Sequence, residues 1–443
     1  MSTHGCIFSC LHRRIPKTLS LGLFVLISSS VFGQSSAAQE SEHAAGYETI
    51  SVDRWREDLH FLVDTLFRRH ANAFHTRSRK DLEDSARALN DGLSRMTPTE
   101  RIVEFARFLA LVGDGHTRMW LYERPKGFHP IRFRRYPIRV YWFEEGLYVL
   151  GISLQSSALL GARVDSIDNV PVREALERVG SLISHDNPQG VLQYSPIYLT
   201  TPEVLHALKL SDSMMKSTWV ATTTTGRKLS TVLEPVSADY RIQYLSIPGF
   251  ASGDRLFQEV DAFTLKRHDA TVVAQINQMS NSGKTKLRDF AEDLLKGLDS
   301  TKARRLVVDL RYNSGGDASL LRPFIDEVAK RPSVNRRGGL FVLIGRATFS
   351  AALWNCLDFQ RRTNAILIGE PTSGKPNGFG ETDEFVLPNT GLRFSVATRF
   401  NQRSTPDDTR PWLPPDVGVS LSLADVVRGK DRALEAALKW KPK

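Results

Sequence analysis

Cysteine is scarce in this sequence: three occur in 443 residues, at positions 6, 10 and 356. The first two lie in an N-terminal stretch that is typical of a leader, so the rest of the chain keeps only Cys356 and can form no internal disulfide. Cys356 falls within an apolar helical pattern, which indicates a small buried side chain rather than a reactive thiol. The fold must therefore depend on its hydrophobic core.

A continuous apolar run of membrane-spanning length is also lacking. The stretch LSLGLFVLISSSVFG at 19–33 is short and is broken by serines. Arg13, Arg14 and Lys17 precede it, and the small residues of QSSAAQE follow it. A charged segment, a short apolar segment and a small-residue segment in this order are typical of a secretory signal peptide.

The leader predicts export to the periplasm or the medium. We expect a signal peptide over 1–33 and a linker over 34–49, with a mature chain that starts near residue 34 or 39 and has no stable membrane insertion. A leader that stays uncleaved as a membrane anchor is the alternative.

Clustered positive charge is missing as well. The formal net charge is +10, and removal of the leader would lower it by three. The remaining lysines and arginines are scattered along the chain and are not interleaved with aromatic residues, which argues against a nucleic-acid partner. The sequence contains no internal repeat and no long low-complexity segment.

Several motifs for nucleotide and hydrolase chemistry are absent or incomplete. The stretch GEPTSGKPNG at 369–378 begins like a phosphate-binding loop, but Pro376 replaces the Ser or Thr that must follow Lys375. The stretch SGKT at 282–285 lacks the leading glycine, and SMMK at 213–216 lacks its S-D-N and K-T-G partners. There is no G-x-S-x-G and no H-E-x-x-H motif. We therefore expect no cofactor and no metal, and Lys375 needs another role.

Helical periodicity dominates the first part of the chain, residues 50–135. The segment TPTE predicts the start of a helix, with Thr97 as N-cap and Glu100 completing a capping box. Gly113 is expected to end that helix. The motif GDGHT then places His116 on the turn that follows.

Short β patterns dominate the next part, residues 136–235. The stretch SALLGARVDSIDNVPV is similar to the part of a PDZ domain in which a strand leads through a tight turn into another strand. The helical or irregular stretch at 173–215 is too long for a small PDZ domain. We expect a PDZ-like domain here, with a plain β-rich spacer as the alternative.

Strands and helices alternate in the last part, residues 236–443. The runs RLVVDL, LFVLI and AILIG are typical of strands buried on both faces of a parallel sheet. Helical stretches are predicted at 287–298, 318–330 and 351–362. Sites in such sheets lie at the carboxyl ends of the strands, which here lead into RYNSGGD, GRATFSAALW and GEPTSGK.

Ser350 is predicted to lie between a buried strand and a helix that begins near Ala351. A hydroxyl there faces free N–H groups and the positive end of the helix dipole, which suits an oxyanion. The same pattern also fits an ordinary N-cap serine. Gly315 and Gly316 follow the neighbouring strand, where backbone N–H groups without a Cβ can approach a ligand closely; a simple strand-to-helix turn is the alternative.

Four motifs in this order, VVDLRYNSGG, TFSAA, GEPTSGK and PPDVGV…GKDRALEAAL, resemble those of the tail-specific, or C-terminal processing, serine peptidases and their tricorn-core relatives. With the helical and PDZ-like regions, the resemblance extends over nearly the whole mature chain. It implies a Clp-protease/crotonase-like α/β core and hydrolysis of peptides or unfolded proteins through an acyl-enzyme on Ser350. It also implies an oxyanion site at the N–H groups of Gly315 or Gly316 and of Ala351.

A binding protein is the alternative function, because the same fold occurs in relatives that bind retinoids without proteolysis. On that reading the chain would bind a peptide or a lipophilic molecule and catalyse nothing. The presence of Ser350, the glycine pair and a candidate base favours the enzyme.

The resemblance leaves two candidates for the general base. Lysine-type members pair the serine with the lysine of G-E-x-T-x-G-K, and Lys375 follows Ser350 by 25 positions, which is the spacing of that type. Those members have a glutamine four residues after the lysine, where this chain has Phe379. The departure weakens the case for Lys375 as the base.

Tricorn-like members use a histidine from the N-terminal region and an acid late in the chain. His116 in DGHT matches the histidine position, and Asp408, or its neighbour Asp407, lies shortly before PPD. Histidine needs little change in its pKa to act as a base near neutral pH. We therefore favour His116 as the base and expect Lys375 to bind substrate or fix a loop. Without the resemblance, a structural histidine in a turn would be favoured.

Overall fold

The computed structural model describes residues 47–121, 133–238, 240, 242–247, 262–283 and 285–441. The predicted signal peptide and most of the predicted linker lie outside the described residues. Among the described helices, none combines the length and the hydrophobicity that crossing a bilayer requires.

The secondary structure follows the three regions that the sequence patterns indicate. The α-helices are α1 Val52–Arg69, α2 Arg79–Gly92, α3 Pro98–Ala110, α4 Val172–Gly180, α5 Pro188–Leu199, α6 Pro202–Ala207, α7 Leu287–Ser300, α8 Arg322–Ala329, α9 Ala351–Arg362, α10 Leu423–Val427 and α11 Arg432–Leu438. The strands are β1 Arg118–Met119, β2 Ile138–Phe143, β3 Gly146–Ser153, β4 Arg163–Ile167, β5 Val170–Pro171, β6 Ser217–Thr222, β7 Lys228–Leu233, β8 Tyr244–Ser246, β9 Phe263–His268, β10 Thr271–Ile276, β11 Arg305–Asp309, β12 Leu340–Ile344, β13 Ile366–Gly369, β14 Asn377–Val386, β15 Arg393–Gln402 and β16 Val417–Gly418.

The start of α3 is the capping box that the sequence predicts. The Thr97 hydroxyl accepts the N–H of Glu100 at 3.2 Å, and the Glu100 carboxylate accepts the N–H of Thr97 at 2.8 Å. Two backbone N–H groups at the N-terminus of α3 thereby gain hydrogen-bond acceptors. The helix ends at Ala110, and Gly113 lies three residues later with a φ of +83°. The chain then turns into the loop that carries His116.

The β-rich region forms a sheet of seven strands in the order β2-β3-β4-β6-β7, in which β5 pairs with β4 and β8 pairs with β3. All of these pairs are antiparallel. Asp168 and Asn169 have φ values of +46° and +66° in the tight turn between β4 and β5. Asp and Asn tolerate this left-handed conformation better than most residues, which explains why the turn forms there.

The last region contains a sheet of six strands in the order β16-β13-β12-β11-β10-β9. The runs predicted as parallel strands form β11, β12 and β13, and parallel pairing extends from β10 to β16. Alternate residues of these strands pack against α7, α8 and α9 on one face and against α11 on the other. Because both faces are covered, the central residues of β11, β12 and β13 are all apolar.

A third sheet joins the region of the N-terminal helices to the last part of the chain. Strands β14 and β15 form a long hairpin, and β1 pairs with β15. Residues 377–380 are the first part of β14. Two glycines among these four residues gave no local strand signal, and pairing with β15 decides the conformation. Apolar residues of the hairpin share one hydrophobic core with α1, α3 and the seven-stranded sheet.

Asp58 on α1 attaches this helix to the hairpin. Its side chain is fully buried, and the carboxylate accepts the backbone N–H groups of Asn389 and Thr390, both at 2.9 Å. The Thr390 hydroxyl donates a further bond at 2.6 Å, and the Asn389 amide donates one at 3.0 Å. All four donors therefore face one carboxylate. Only a group that accepts hydrogen bonds and carries no hydrogen of its own can satisfy all of them.

We predict that Asp58→Asn lowers the free energy of unfolding by about 1–3 kcal/mol, because the new amide group presents N–H donors to buried N–H donors. Urea unfolding followed by circular dichroism measures the change. Asp53→Asn is the matched control: Asp53 lies on the same helix with 83 % of its side chain exposed. Equal unfolding midpoints for the two variants would show that the Asp58 contacts contribute nothing.

Candidate active site

Ser350 occupies a strained backbone position at the start of α9. It follows the buried strand β12 and has φ +51° and ψ −126°. Residues other than glycine rarely adopt this backbone conformation. Its hydroxyl does not cap the helix. The alternative interpretation as an ordinary N-cap serine therefore does not describe this residue.

The Ser350 hydroxyl instead meets His116. The Nε2 atom of His116 lies 3.0 Å from Oγ of Ser350, although the two residues are 234 positions apart. The imidazole stacks on the ring of Phe349, with the ring centroids 4.6 Å apart at an angle of 28°. The Ser395 hydroxyl donates a hydrogen bond of 2.7 Å to the His116 carbonyl oxygen. The histidine is thus held from β15 and from the residue before the serine.

The surroundings of His116 keep its imidazole neutral. Burial lowers its pKa to about 4, and the nearby charge of Arg118 acts in the same direction. The charge of Asp114 and the backbone of Phe379 oppose these effects and are outweighed. The Nδ1 atom has no aligned hydrogen-bond partner among the described residues. At neutral pH, Nε2 is therefore able to accept the proton of Ser350.

The loop that carries His116 is fixed by Asp114. This buried carboxylate accepts the N–H groups of His116 and Thr117, both at 2.8 Å. The Nε2 atom of His70 lies 3.0 Å from the other oxygen. Because the Nδ1 atom of His70 accepts the N–H of Asn72, the ring proton must be on Nε2 and points at Asp114. Burial raises the pKa of Asp114, but these donors lower it more strongly, to about 2.

Asp186 supports the same loop from a second side. It accepts the N–H of Gly115 at 2.9 Å. Burial and the charge of Asp114 raise the pKa of Asp186 to about 6, against the opposing effects of the Gly115 N–H and of Lys375. Neither Asp114 nor Asp186 was identified from the sequence. The position of Asp114, two residues before His116, was the available signal.

Lys375 lines a cavity of about 450 Å³ beside this loop, together with Asp186, His75 and Phe379. The strand β14 starts two residues after Lys375. A phosphate-binding loop requires a helix there, so the chain offers no nucleotide site at this position. The ring of Phe379 packs against those of His75 and Phe400, with centroids 4.4 and 5.2 Å apart. The resemblance implies glutamine at this position in lysine-type relatives, whereas Phe379 makes aromatic contacts here.

Asp408 does not make the predicted contact with His116. Its carboxylate accepts two hydrogen bonds from Arg410, at 2.8 and 2.6 Å, and these hold the pKa of Asp408 well below its usual range. The neighbouring Asp407 is exposed. Because Arg410 is only two residues away, it pairs with Asp408 locally. In the described part of the chain, neither acid is brought to the histidine.

Gly315 lies directly beside Ser350, and Gly316 follows it in the chain. A Cβ on Gly315 would lie 2.7 Å from the Ser350 Cβ, so the close approach requires glycine at this φ of +117°. The Gly315 N–H is already bonded to the Asn313 side chain at 2.9 Å. The backbone bonds of Met279 go to the residues on either side of Gly316. The N–H of Gly316 therefore points away from Met279.

The N–H of Ala351 lies in the first turn of α9, where helix donors have no partner within the helix. Among the described hydrogen bonds, neither this group nor the Gly316 N–H has an acceptor. They are thus the members of the predicted oxyanion set that have no acceptor among the described hydrogen bonds. Gly315 contributes space rather than a donor.

Two buried polar side chains, Asn313 and Thr348, connect the strand ends at this site. The Asn313 side chain donates to the Ile276 carbonyl at 3.0 Å, and the backbone carbonyl of Asn313 accepts the N–H of Phe349 at 3.2 Å. Thr348 donates to the carbonyl of Leu310 at 2.8 Å. Neither residue was predicted as a positioning group, although Asn313 lies within RYNSGGD and Thr348 within GRATFSAALW. They fix the segment of Ser350 against the glycine loop.

A metal site at the nearby histidines is not supported by their hydrogen bonds. His70, His75 and Asp114 place candidate ligand atoms within 4.8 Å of one another. Both ring nitrogens of His70 are engaged, one by the Asn72 N–H and the other by Asp114. Binding a cation would break this arrangement, which holds the loop of His116.

The comparison with known proteins identifies the fold. No protein-family model and no curated protein matches the sequence. Among solved structures, the chain is similar to mature CPAF in complex with lactacystin, with a TM-score of 0.62 and 12 % identity over 88 % of this chain and 97 % of that one. It is similar to mature CPAF alone with a TM-score of 0.61 and 13 % identity over 88 % and 96 % of the two chains.

A weaker likeness, with a TM-score of 0.40 and 14 % identity, links 86 % of the chain to 98 % of the photosystem II D1 C-terminal processing protease. The predicted fold class, an α/β core with a helical N-terminal region and a β-rich region, is confirmed. The chain therefore has the fold of mature CPAF.

Proposed function

We propose that the protein is a serine peptidase that hydrolyses peptide bonds through an acyl-enzyme on Ser350. The observation that carries the proposal is the 3.0 Å contact between Oγ of Ser350 and Nε2 of a neutral His116. The site thus combines a nucleophile, Ser350, with a base, His116, and with N–H donors that have no acceptor among the described hydrogen bonds, those of Gly316 and Ala351. The fold shared with CPAF is consistent with this assignment.

In the proposed reaction, Oγ of Ser350 attacks the carbonyl carbon of the substrate while its proton moves to Nε2 of His116. The developing negative charge on the carbonyl oxygen is bound by the N–H groups of Gly316 and Ala351. The protonated histidine then donates its proton to the leaving amine, and the acyl group stays on the serine. A water molecule, deprotonated by His116, releases the acid in the second half of the reaction.

The histidine acts here without a carboxylate bonded to its Nδ1 atom. Asp114 stabilises the protonated ring through its charge and fixes the loop through the backbone. We assign Lys375 a role in binding substrate or in fixing the loop, because it lines the cavity with Asp186. Asp408 receives no catalytic role, since Arg410 occupies it.

We further propose that the chain is exported and that its substrates are peptides or unfolded proteins. The leader at 1–33 supports export, and N-terminal sequencing of the mature protein tests it. We also propose that the sheet of residues 136–235 is a PDZ-like domain, supported by the β4–β5 turn. A peptide that protects this region, and no other, from hydrogen exchange would support a binding role; uniform protection would oppose it.

We predict that Ser350→Ala abolishes hydrolysis of an unfolded protein such as reduced casein and abolishes labelling by a fluorophosphonate. His116→Ala should slow labelling by roughly 10²–10⁴-fold, because the serine then lacks its base. Lys375→Ala should raise KM more than it lowers kcat, and Asp408→Asn should leave both close to the wild type. If Lys375→Ala is labelled slowly and His116→Ala is labelled at the wild-type rate, Lys375 is the base.

We predict that Gly315→Ala slows fluorophosphonate labelling by about 10²-fold or more, because the new Cβ displaces Ser350. Gly283→Ala is the matched control. It also has a strongly positive φ, +109°, but a Cβ there meets nothing within 4 Å. Alanine is thus unfavourable at both backbone positions, and only Gly315→Ala adds the contact with Ser350. Equal labelling rates would mean that the contact with Ser350 has no effect on reactivity.

We predict that the acidic limb of the pH profile of kcat/KM lies below pH 6.5, the ordinary pKa of histidine, and approaches 4. His116 must be neutral to accept the proton, and a lowered pKa keeps it neutral as the solution is acidified. Circular dichroism at each pH shows whether the protein is still folded. A limb above about pH 7 contradicts a histidine base in this environment.

A further inference from the structure

Arg118 is an unmatched cation next to the proposed catalytic base. It lies in β1, two residues after His116, and its guanidinium carbon sits 3.6 Å from the ring centroid of Trp120. Its Nε atom is buried and has no hydrogen-bond partner, and within the described ranges the side chain forms no ion pair. Burying part of a charged group without a partner costs free energy, so such a group is expected to serve a ligand.

The walls around Arg118 are aromatic. The ring of Trp120 contacts that of Tyr194 on α5, with centroids 6.1 Å apart in an edge-on arrangement. Tyr198, one turn later on α5, is 5 % exposed and is close enough for the charge of Arg118 to act on its hydroxyl. A guanidinium stacked on a flat ring keeps its N–H groups in a fixed plane, which suits a carboxylate.

Among the described residues, the acidic groups near Arg118 do not neutralise it. Asp114 is occupied by His70 and by the N–H groups of the loop. Glu384 shares a row of the third sheet with Arg118, but Ser395 on β15 lies between them and Glu384 is exposed. No described carboxylate is thus paired with Arg118, whose charge is near enough to His116 to lower its pKa.

We propose that Arg118 binds a carboxylate of the substrate close to the scissile bond. The substrate class is then peptides with an acidic side chain, or a free C-terminal carboxylate, near the bond that is cleaved. This carboxylate site extends the peptidase assignment. It rests on that assignment only in that the bound peptide is called a substrate, since binding of the carboxylate does not require catalysis.

Binding at Arg118 would also adjust the base. The charge of Arg118 is the largest contribution after burial to the low pKa of His116, and Asp114 and the Phe379 backbone act against it. A carboxylate beside Arg118 would cancel much of its charge and raise the pKa of His116 towards the ordinary value. The base would then be stronger when a matching substrate is bound, so acidic peptides should gain in kcat as well as in KM.

Binding is measured first, on Ser350→Ala, so that no peptide is consumed. The probes are peptide mixtures that hold Glu or Gln at one fixed position, each made with a free carboxylate and with a carboxamide at the C-terminus. We expect one acid form to bind about 10- to 100-fold more tightly than its amide, as for a charge-assisted pair. Comparison of the Glu/Gln and acid/amide arms shows whether the carboxylate is a side chain or a terminus.

The Ser350→Ala/Arg118→Met double variant should lose this preference to within about twofold, because methionine keeps an apolar side chain of similar length without the charge. Arg118→Lys in the same background should keep part of it. Arg139→Met is the matched control and should keep all of it: Arg139 also stacks on an aromatic ring, Tyr244 at 4.0 Å, but belongs to β2 of the seven-stranded sheet.

Turnover of the same mixtures by the protein with Ser350 intact completes the test. We expect the acid forms to be cleaved with the higher kcat, and Arg118→Met to remove that difference. Equal binding of acid and amide forms, or a preference that survives in Arg118→Met, overturns the Arg118 proposal whether or not the protein is a peptidase. An Arg118-dependent preference without labelling of Ser350 supports the carboxylate site and rejects the peptidase.

Discussion

The buried carboxylate of Asp114 is the contact on which the site depends. Ser350 and His116 are 234 residues apart, and a loop has to hold the histidine against the serine. Asp114 does this with the N–H groups of His116 and Thr117, while His70 donates a hydrogen bond to its other oxygen. Burying a carboxylate is costly unless donors surround it, and here the donors are the loop itself. The cost of that burial is thus offset by the same bonds that position the base.

The hairpin of β14 and β15 provides the frame for this loop. Strand β1, which continues from the loop, pairs with β15, and Ser395 on β15 bonds to the carbonyl of His116. Asp58 ties α1 to the turn of the same hairpin. The N-terminal helices and the C-terminal part of the chain therefore share one core, and the site forms only when both are folded. A base contributed by one end and a nucleophile contributed by the other are brought together in this way.

Local patterns were sufficient for much of the fold and for part of the site. The capping box at Thr97, the parallel strands after residue 304 and the helix that starts at Ala351 all follow from short-range signals. The hairpin at 377–402 does not, because its strands contain glycine and polar residues and depend on pairing with each other. The partners of Asp114 and of Asp408 depend on which side chains meet after folding. The expected contact between Asp408 and His116 fails for this reason, since Arg410 is nearer to the acid.

The structure of an adduct with a peptide phosphonate tests the central claim most directly. The account predicts a covalent bond from phosphorus to Oγ of Ser350, with the phosphonyl oxygen about 2.7–3.1 Å from the N–H groups of Gly316 and Ala351. The Nε2 atom of His116 should lie within hydrogen-bond distance of Oγ or of the leaving-group position. An adduct on another residue, or a phosphonyl oxygen turned away from both N–H groups, would contradict the account.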